Sequence, residues 1–321
     1  MSAATTARPN TGPRPTTFSH EALLYAGESG FLTGTVPFVR EGVENDEAVL
    51  VVVATEKIVQ MQAALGADAE QVQFADMSDV GHNPARIISA WQDFVAEHGD
   101  EGRPLRGIGE PISTSRTPDQ LVECQRHESL LNVAFADAAP WRLLCPYDVL
   151  ALNPVVIEEA RRSHPFLLDQ GALAPSGDYR GLDASGAPFD VPLPEPPANA
   201  TSLKIDTATL RHVRVFLGAF ARAAGLGDDK TSDLALAAHE IGANTLRYGG
   251  GSGVLRTWTD DRAVICEVTD GGNIVAPLAG RERPPATGTS GRGLWLANHL
   301  CDLVQIRSTA SGGVVRLHQF R

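Results

Sequence analysis

The sequence predicts two α/β units joined by a proline-rich connection. The first is a parallel sheet covered by helices on both faces; the second is a helical layer on a mixed, mostly antiparallel sheet. Three observations carry this reading. Before residue 170, short β-branched runs alternate with amphipathic stretches, as repeated strand–helix units require. Between Pro175 and Ala200 the periodicity is lost, and five prolines fall from Pro188 onward. After Ser202, two long amphipathic helices come first and paired strands follow.

Each element has a local cause. Residues 48–54, Ala-Val-Leu-Val-Val-Val-Ala, form an unbroken apolar run suited to a strand buried on both faces. A helix is expected over 56–65 and a short strand over 72–74. From Asn83 to His98, residues Ile87, Ile88, Trp91, Phe94 and Val95 recur at helical spacing, with Asn83 as the cap before Pro84. Strands at 105–108 and 141–145 flank a helix at 118–135. In the second unit, a strand at 202–205 precedes helices at 207–225 and 228–248, the latter capped by Asp228 or Asp229. Strands 253–258 and 263–269 pair as a hairpin across Thr259-Asp260-Asp261-Arg262. A lid-like loop rich in Gly, Pro and Arg spans 273–291, a helix 292–301, and a closing hairpin 303–308 with 313–320. The domain boundaries are therefore 1–17 for a disordered tail, 18–170, a linker at 171–201, and 202–321.

Composition narrows the function. A chain of 321 residues can bury two cores. Its net charge of −12 is uneven: from Ser202 onward 14 Lys/Arg face 11 Asp/Glu, leaving +3, and the remaining 13 and 28 leave −15. Direct nucleic-acid binding, which needs clustered Lys/Arg, is not expected of the acidic part. The basic excess of the second unit suits a phosphorylated ligand or an acidic protein. No apolar run reaches a membrane span, and the tail lacks the apolar segment of a secretory signal, so a cytoplasmic protein without membrane attachment is expected. Cys124, Cys145, Cys266 and Cys301 are far apart in apolar settings, the pattern of buried free thiols rather than disulfides or zinc ligands.

The best-spaced chemistry lies in residues 202–321. Glu240 and Asn244, four apart, share one helix face. Asn244 can give Mg2+ an oxygen without adding charge, and Glu240 can polarise an attacking hydroxyl as a base. Asp270 ends the run 264–269, where its carboxylate can accept from the adenine amine while Gly271 and Gly272 let backbone approach a flat ring. Gly288 to Gly293, with Arg292 among them, brings backbone N–H groups to a helix N-terminus, a setting for phosphates. Each signal alone is weak; a lone Glu-x-x-x-Asn is usually a solvated helix face and a lone Asp-Gly a turn. Their order and spacing make the nucleotide reading.

With these residues, 202–321 resembles the GHKL ATPase fold, the Bergerat-type ATP-binding sandwich shared by gyrase-type topoisomerases, histidine kinases and anti-sigma-factor serine kinases. Glu240 and Asn244 match the N box, Asp270 and Gly272 the first glycine box, and Gly291 and Gly293 the second. The Asn-Thr-Leu-Arg-Tyr-Gly run and the short domain most resemble the anti-sigma kinase branch. That resemblance implies ATP and Mg2+ as cofactors, Glu240 as catalytic base, a sigma factor or anti-sigma antagonist as protein partner, serine/threonine phosphorylation, and a homodimer. Two positions depart from the family pattern: Ile274 stands where a glycine is usual, and Val314 and Val315 follow Gly312-Gly313 where a threonine is common.

In the first unit, Glu110 and Tyr147-Asp148 follow strands, where open parallel sheets bind ligands. The bland alternative is that Tyr147 and Asp148 only brace a loop. His20, His82 and His127 have no metal-ligand spacing. Residues 18 to about 168 resemble the MEDS sensory domain, a RecA-like α/β module, through His20-x-x-Leu23-Leu24-Tyr25, the strand–helix order and Cys145-x-Tyr147-Asp148. The resemblance implies sensing of an unknown ligand, and no Gly-x-x-x-x-Gly-Lys-Ser/Thr loop is present for ATP hydrolysis there. The whole then reads as a signalling regulator in which a sensor controls an ATP-dependent protein kinase. A module that sequesters its partner without phosphorylation is the alternative. A sensor histidine kinase is disfavoured, since the proline-rich stretch supplies no long helix pair with a phosphoacceptor histidine, and His239 sits inside the N box.

Overall fold

The computed structural model describes residues 17–99, 103–138, 140–169, 171–284, 291–309 and 312–321, so the tail expected at 1–17 lies almost wholly outside the described residues. The N-terminal elements run β1 (Ser19–Tyr25), α1 (Gly27–Glu44), β2 (Ala48–Val53), α2 (Thr55–Leu65), β3 (Val72–Asp76), α3 (Met77–Val80), α4 (Ile87–Gly99), β4 (Leu105–Gly109), α5 (Pro118–Ala134), β5 (Trp141–Asp148), α6 (Pro154–Ser163), β6 (Phe166–Asp169) and β7 (Ala172–Pro175). The C-terminal elements are β8 (Thr201–Ile205), α7 (Val213–Ala223), α8 (Asp228–Tyr248), β9 (Gly253–Thr259), β10 (Ala263–Asp270), α9 (Arg292–Leu300), β11 (Leu303–Thr309) and β12 (Gly312–Phe320). Among the described residues two compact units form: those up to Val80, in 93–116 and in 131–185 make one, and those in 81–92, 117–130 and from Gly186 onward make the other.

The first unit is built on a seven-stranded sheet of order β3-β2-β4-β5-β1-β6-β7. Its pairings are parallel apart from the β6–β7 hairpin, which places Ala172–Pro175, inside the stretch read as linker, on the sheet's edge. The β2 run is buried along nearly its whole length, as a central parallel strand demands. Propensity argues against α1, which holds Pro37 in its interior. It forms because Phe31, Val36, Phe38 and Val39 close the core with Met61, Leu65, Val51 and Val53. Tertiary burial outweighs local preference there.

Charge is buried at the edge of this sheet where the parallel strands begin. Arg106 is 2% exposed on β4 and donates to both oxygens of Glu47 at 2.6 and 3.1 Å, to Glu41 at 2.7 Å and to the Phe38 carbonyl at 2.7 Å. Arg142 grips Glu21 through two bonds of 2.8 Å. Both guanidinium groups stack on the Phe38 ring.

In the second unit the sheet order is β11-β12-β10-β9-β8 and every pairing among the described residues is antiparallel, simpler than the mixed sheet expected. Alternation decides which residues meet the helices. Val264, Cys266 and Val268 of β10 join Leu217, Leu234, Ala238, Ile241 and Ala297 of α7, α8 and α9 in the core. Expected helix 207–225 starts late: the Asp206 carboxylate accepts from the amides of Ala208 and Thr209 at 3.0 Å, and this local turn holds the chain before α7 begins. On the opposite sheet face, Glu267 pairs with Arg316, and His318 bonds Gln305 at 3.0 Å. Proline-rich residues cross this face, with the Val191 and Pro194 carbonyls accepting from Arg307 and Arg316. Glu123 binds Arg281 at 3.1 Å and Arg307 at 2.8 Å, and burial lowers Arg281 to about 10 despite that carboxylate.

Two stability predictions follow from these buried charges. Arg106→Leu leaves Glu47 without its cation and is expected to cost about 3–5 kcal/mol in urea unfolding, with Arg106→Leu/Glu47→Leu recovering most of it. A single variant costing under 1 kcal/mol contradicts the account. Burial, and then the neighbouring Arg316, lower His318 to about 4. Between that value and its unfolded value of about 6.5 the unfolded chain binds more protons, so stability falls as pH drops through this window, on the order of 2–3 kcal/mol in all. His318→Gln should flatten that part of the pH profile of the urea midpoint; an unchanged profile would show that His318 does not set it.

Candidate functional site

Helix α8 runs from Asp228 to Tyr248 without interruption, which places Glu240 and Asn244 one turn apart on one face, both half-buried. The next residue, Thr245, donates its hydroxyl to Asp270 Oδ2 at 2.7 Å. Asp270 ends β10, and its Oδ1 accepts the Gly272 amide at 2.8 Å. Strand end and helix are thus fastened together beside Asn244.

Close approach explains the glycines. A Cβ on Gly249 would stand 2.3 Å from Asp270 Oδ2, so the helix end passes the carboxylate only as glycine. A Cβ on Gly293 would stand 2.7 Å from Asn244 Nδ2, so the first turn of α9 abuts Asn244 for the same reason. Gly291 is the N-cap of α9 in a left-handed conformation with φ of 84°, and Arg292 is the first, exposed helical residue. Gly288 lies outside the described residues. The structure therefore brings Asn244, Asp270, Gly272 and Gly293 to one end of α8, with Glu240 one turn earlier. Its carboxamide oxygen, its carboxylate and its helix start are donors and acceptors that fit a nucleotide and a hard cation.

The two departures from the expected pattern are structural anchors. Ile274 packs against the core, and its amide and carbonyl both bond Ser308 Oγ, at 2.9 and 3.1 Å. Val315 is 5% exposed and lies in the core opposite Val268 and Ile306.

In the first unit the parallel strands end together, and this edge gathers Tyr25 of β1, Lys57 of α2 and Glu110 after β4. Lys57 donates to both oxygens of Glu110 and to the Tyr25 hydroxyl at 2.6 Å, and Tyr25 donates to Glu110 at 2.7 Å. The Lys57 ammonium also lies 4.7 Å from the Phe31 ring centre. Burial raises the Glu110 carboxyl more than Lys57 lowers it, and raises the Tyr25 phenol, with Glu110 adding to that. Asp148 pairs with Tyr25 across β5 and β1, but its Oδ1 accepts from the amides of Gly27 and Leu150, which starts α1 and turns the chain. Tyr147 takes the other face of the sheet, edge-on to His164 at 5.5 Å. The three residues expected to share a crevice therefore divide: Glu110 and Asp148 on one edge, Tyr147 elsewhere. Lys57 was not anticipated, since a lysine early in a helix carries no local signal.

None of the described helices is long and apolar enough to cross a membrane. None of the four cysteines forms a disulfide among the described residues, all four are buried, and burial raises the Cys266 and Cys301 thiols.

Comparison with known proteins gives two family matches. Residues 19–165 match the family described as MEDS, MEthanogen/methylotroph, DcmR Sensory domain. Residues 203–318 match the histidine kinase-like ATPase domain. No curated protein is a detectable relative. The crystal structure of the RsbU and RsbW domains of Rv1364c from Mycobacterium tuberculosis aligns at 19% identity and a TM-score of 0.29, over 39% of this chain and 34% of that one. About a third of the length of that solved chain is thus spanned. The chain thus carries a region that matches the MEDS sensory domain ahead of a region that matches the histidine kinase-like ATPase domain.

Proposed function

We propose that this protein is a signalling regulator whose sensory domain controls an ATP-dependent serine/threonine protein kinase, acting on an antagonist protein in an anti-sigma partner switch. The observation that carries the reading is the convergence of Asn244, Asp270 and Gly293, held by the Thr245–Asp270 hydrogen bond and by glycine contacts. The resemblance of the Asn-Thr-Leu-Arg-Tyr-Gly run supports the serine kinase branch, and the absence of a long helix pair in the proline-rich stretch argues against a histidine kinase.

In this reading ATP supplies the phosphoryl group and Mg2+ offsets its charge. Asn244 offers its carboxamide oxygen to the ion, and Asp270, oriented by Thr245 and Gly272, accepts from the adenine amine. The α9 N-terminus, with Gly291, Gly293 and Arg292, faces its amides and positive dipole end toward phosphate charge, with Gly288 a further candidate. Glu240 takes the proton of the incoming hydroxyl. The protein partner is a sigma factor or its antagonist, and a homodimer is the expected assembly. The sensory ligand acts at the Glu110 and Asp148 edge, by competing with the Lys57–Glu110 pair, with Tyr147 responding from the opposite face.

Titration of the full chain with MgATP should show binding in the wild type and at least a tenfold loss, about 1.4 kcal/mol, in Asn244→Ala. Equal affinity in the two would remove Asn244 from the metal role, and no affinity in the wild type would end the kinase reading. Glu240→Gln should keep ATP affinity while radiolabel transfer to an antagonist protein falls about 10²–10⁴-fold. ATP binding by the wild type with no transfer to any antagonist would favour a sequestering module, for which the fixing of Ile274 to Ser308 is the supporting observation.

A further inference from the structure

We infer that the first unit holds a zinc-type transition-metal ion on His20, Cys145 and His164, independently of the kinase reading. Their sequence positions fit no metal-ligand spacing, yet one ligand atom of each lies within 4.8 Å of the others. Strand β1 supplies His20, its parallel neighbour β5 supplies Cys145, and the residue after α6 supplies His164. All three are buried, to 1%, 1% and 0% exposure. The His20 Nε2 to Cys145 Sγ distance is 3.3 Å, and the two imidazole centres stand 4.0 Å apart. A tetrahedral zinc with Zn–N of about 2.0 Å and Zn–S of about 2.3 Å has ligand edges of roughly 3.5 Å, so the His20–Cys145 edge already fits and the edges to His164, within 4.8 Å, close on binding.

The surroundings set the nitrogen that each histidine offers. His20 Nδ1 lies 3.1 Å from Asn132 Oδ1, and the Asn132 amide donates to the Ser163 carbonyl at 2.7 Å, which fixes Oδ1 as the atom facing the ring. His20 must then carry its proton on Nδ1, leaving the Nε2 lone pair toward Cys145. His164 Nδ1 lies 2.8 Å from the Ala160 carbonyl, which can only accept, so its proton is on Nδ1 as well. Imidazoles oriented by carbonyl acceptors in this way are the usual partners of metal-ligating histidines. Two neutral imidazoles and one thiol form a borderline-soft set that selects Zn2+ and its neighbours over Mg2+ or Ca2+. On binding, Cys145 becomes a thiolate and releases its proton to solvent, and a further oxygen donor completes the tetrahedron. A bare thiol–imidazole hydrogen bond is the alternative; it accounts for the 3.3 Å contact of His20 with Cys145 but not for the gathering of a His164 ligand atom within 4.8 Å of both.

The test uses the full chain without nucleotide, so its outcome is separate from that of ATP binding. After chelator treatment and zinc titration, gel-filtered protein should retain about one zinc per chain. Cobalt in its place should give a thiolate-to-metal charge-transfer band and strong tetrahedral d–d bands. Cys145→Ser should abolish the charge-transfer band, and Cys124→Ser should leave it intact. Asn132→Ala, which keeps every ligand, should weaken zinc binding by about 10–100-fold, and it serves if Cys145→Ser fails to fold. Folded wild-type protein that retains neither zinc nor cobalt overturns the proposal, as does an unchanged cobalt spectrum in Cys145→Ser.

Discussion

The Asp270 carboxylate is held on one oxygen by the Thr245 hydroxyl and on the other by the Gly272 amide, and this pair of bonds ties α8 to the end of β10. Asn244, beside Thr245, is thereby set against the start of α9, and Gly249 is pressed to within side-chain distance of the carboxylate. Two segments are fastened through Asp270, and the third, α9, meets them at Asn244. Each hydrogen bond to a charged group of this kind is worth about 1.5–3 kcal/mol, enough to choose between alternative packings of a helix end. The residues that support the nucleotide reading are the same ones that close the fold.

The first unit separates its polar chemistry by position. Where the parallel strands begin, Arg106 and Arg142 are consumed by Glu21, Glu41 and Glu47, and the network carries a structural role. Where they end, Lys57, Tyr25 and Glu110 form a smaller cluster in which burial opposes the ion pair, an arrangement a ligand can perturb. On one sheet face lies a third set, His20, Cys145 and His164, whose chemistry is that of soft donors. Parallel pairing makes this division possible, because every strand presents the same end to the same edge.

Much of this was legible in sequence where the signal was local. The β-branched run at β2, the 21-residue periodicity of α8 and the hairpin turn after Thr259 each carry their own cause within a few residues. Helix α1 was not legible, since Pro37 speaks against a helix that only core burial by Phe31 and Phe38 sustains. Nor was the path of the proline-rich segment, because its polarity and lack of period say nothing of Arg307 and Arg316, which bond its carbonyls. Tyr147 was misplaced through the pleat: adjacent to Asp148 in sequence, it points to the opposite face.

The sequence by itself determined the two-unit α/β plan, the placement of Glu240 and Asn244 on one helix face, and the arrival of Asp270 at a strand end. Those depend on helical period, strand alternation and turn chemistry, all of which act over short separations. Only the tertiary structure decided that Thr245 fastens Asp270, that Lys57 meets Glu110, and that His20 meets Cys145 across 125 residues. Contacts of that kind follow from strand order and register, which are set by the burial of the whole core and are written in no single stretch of the chain.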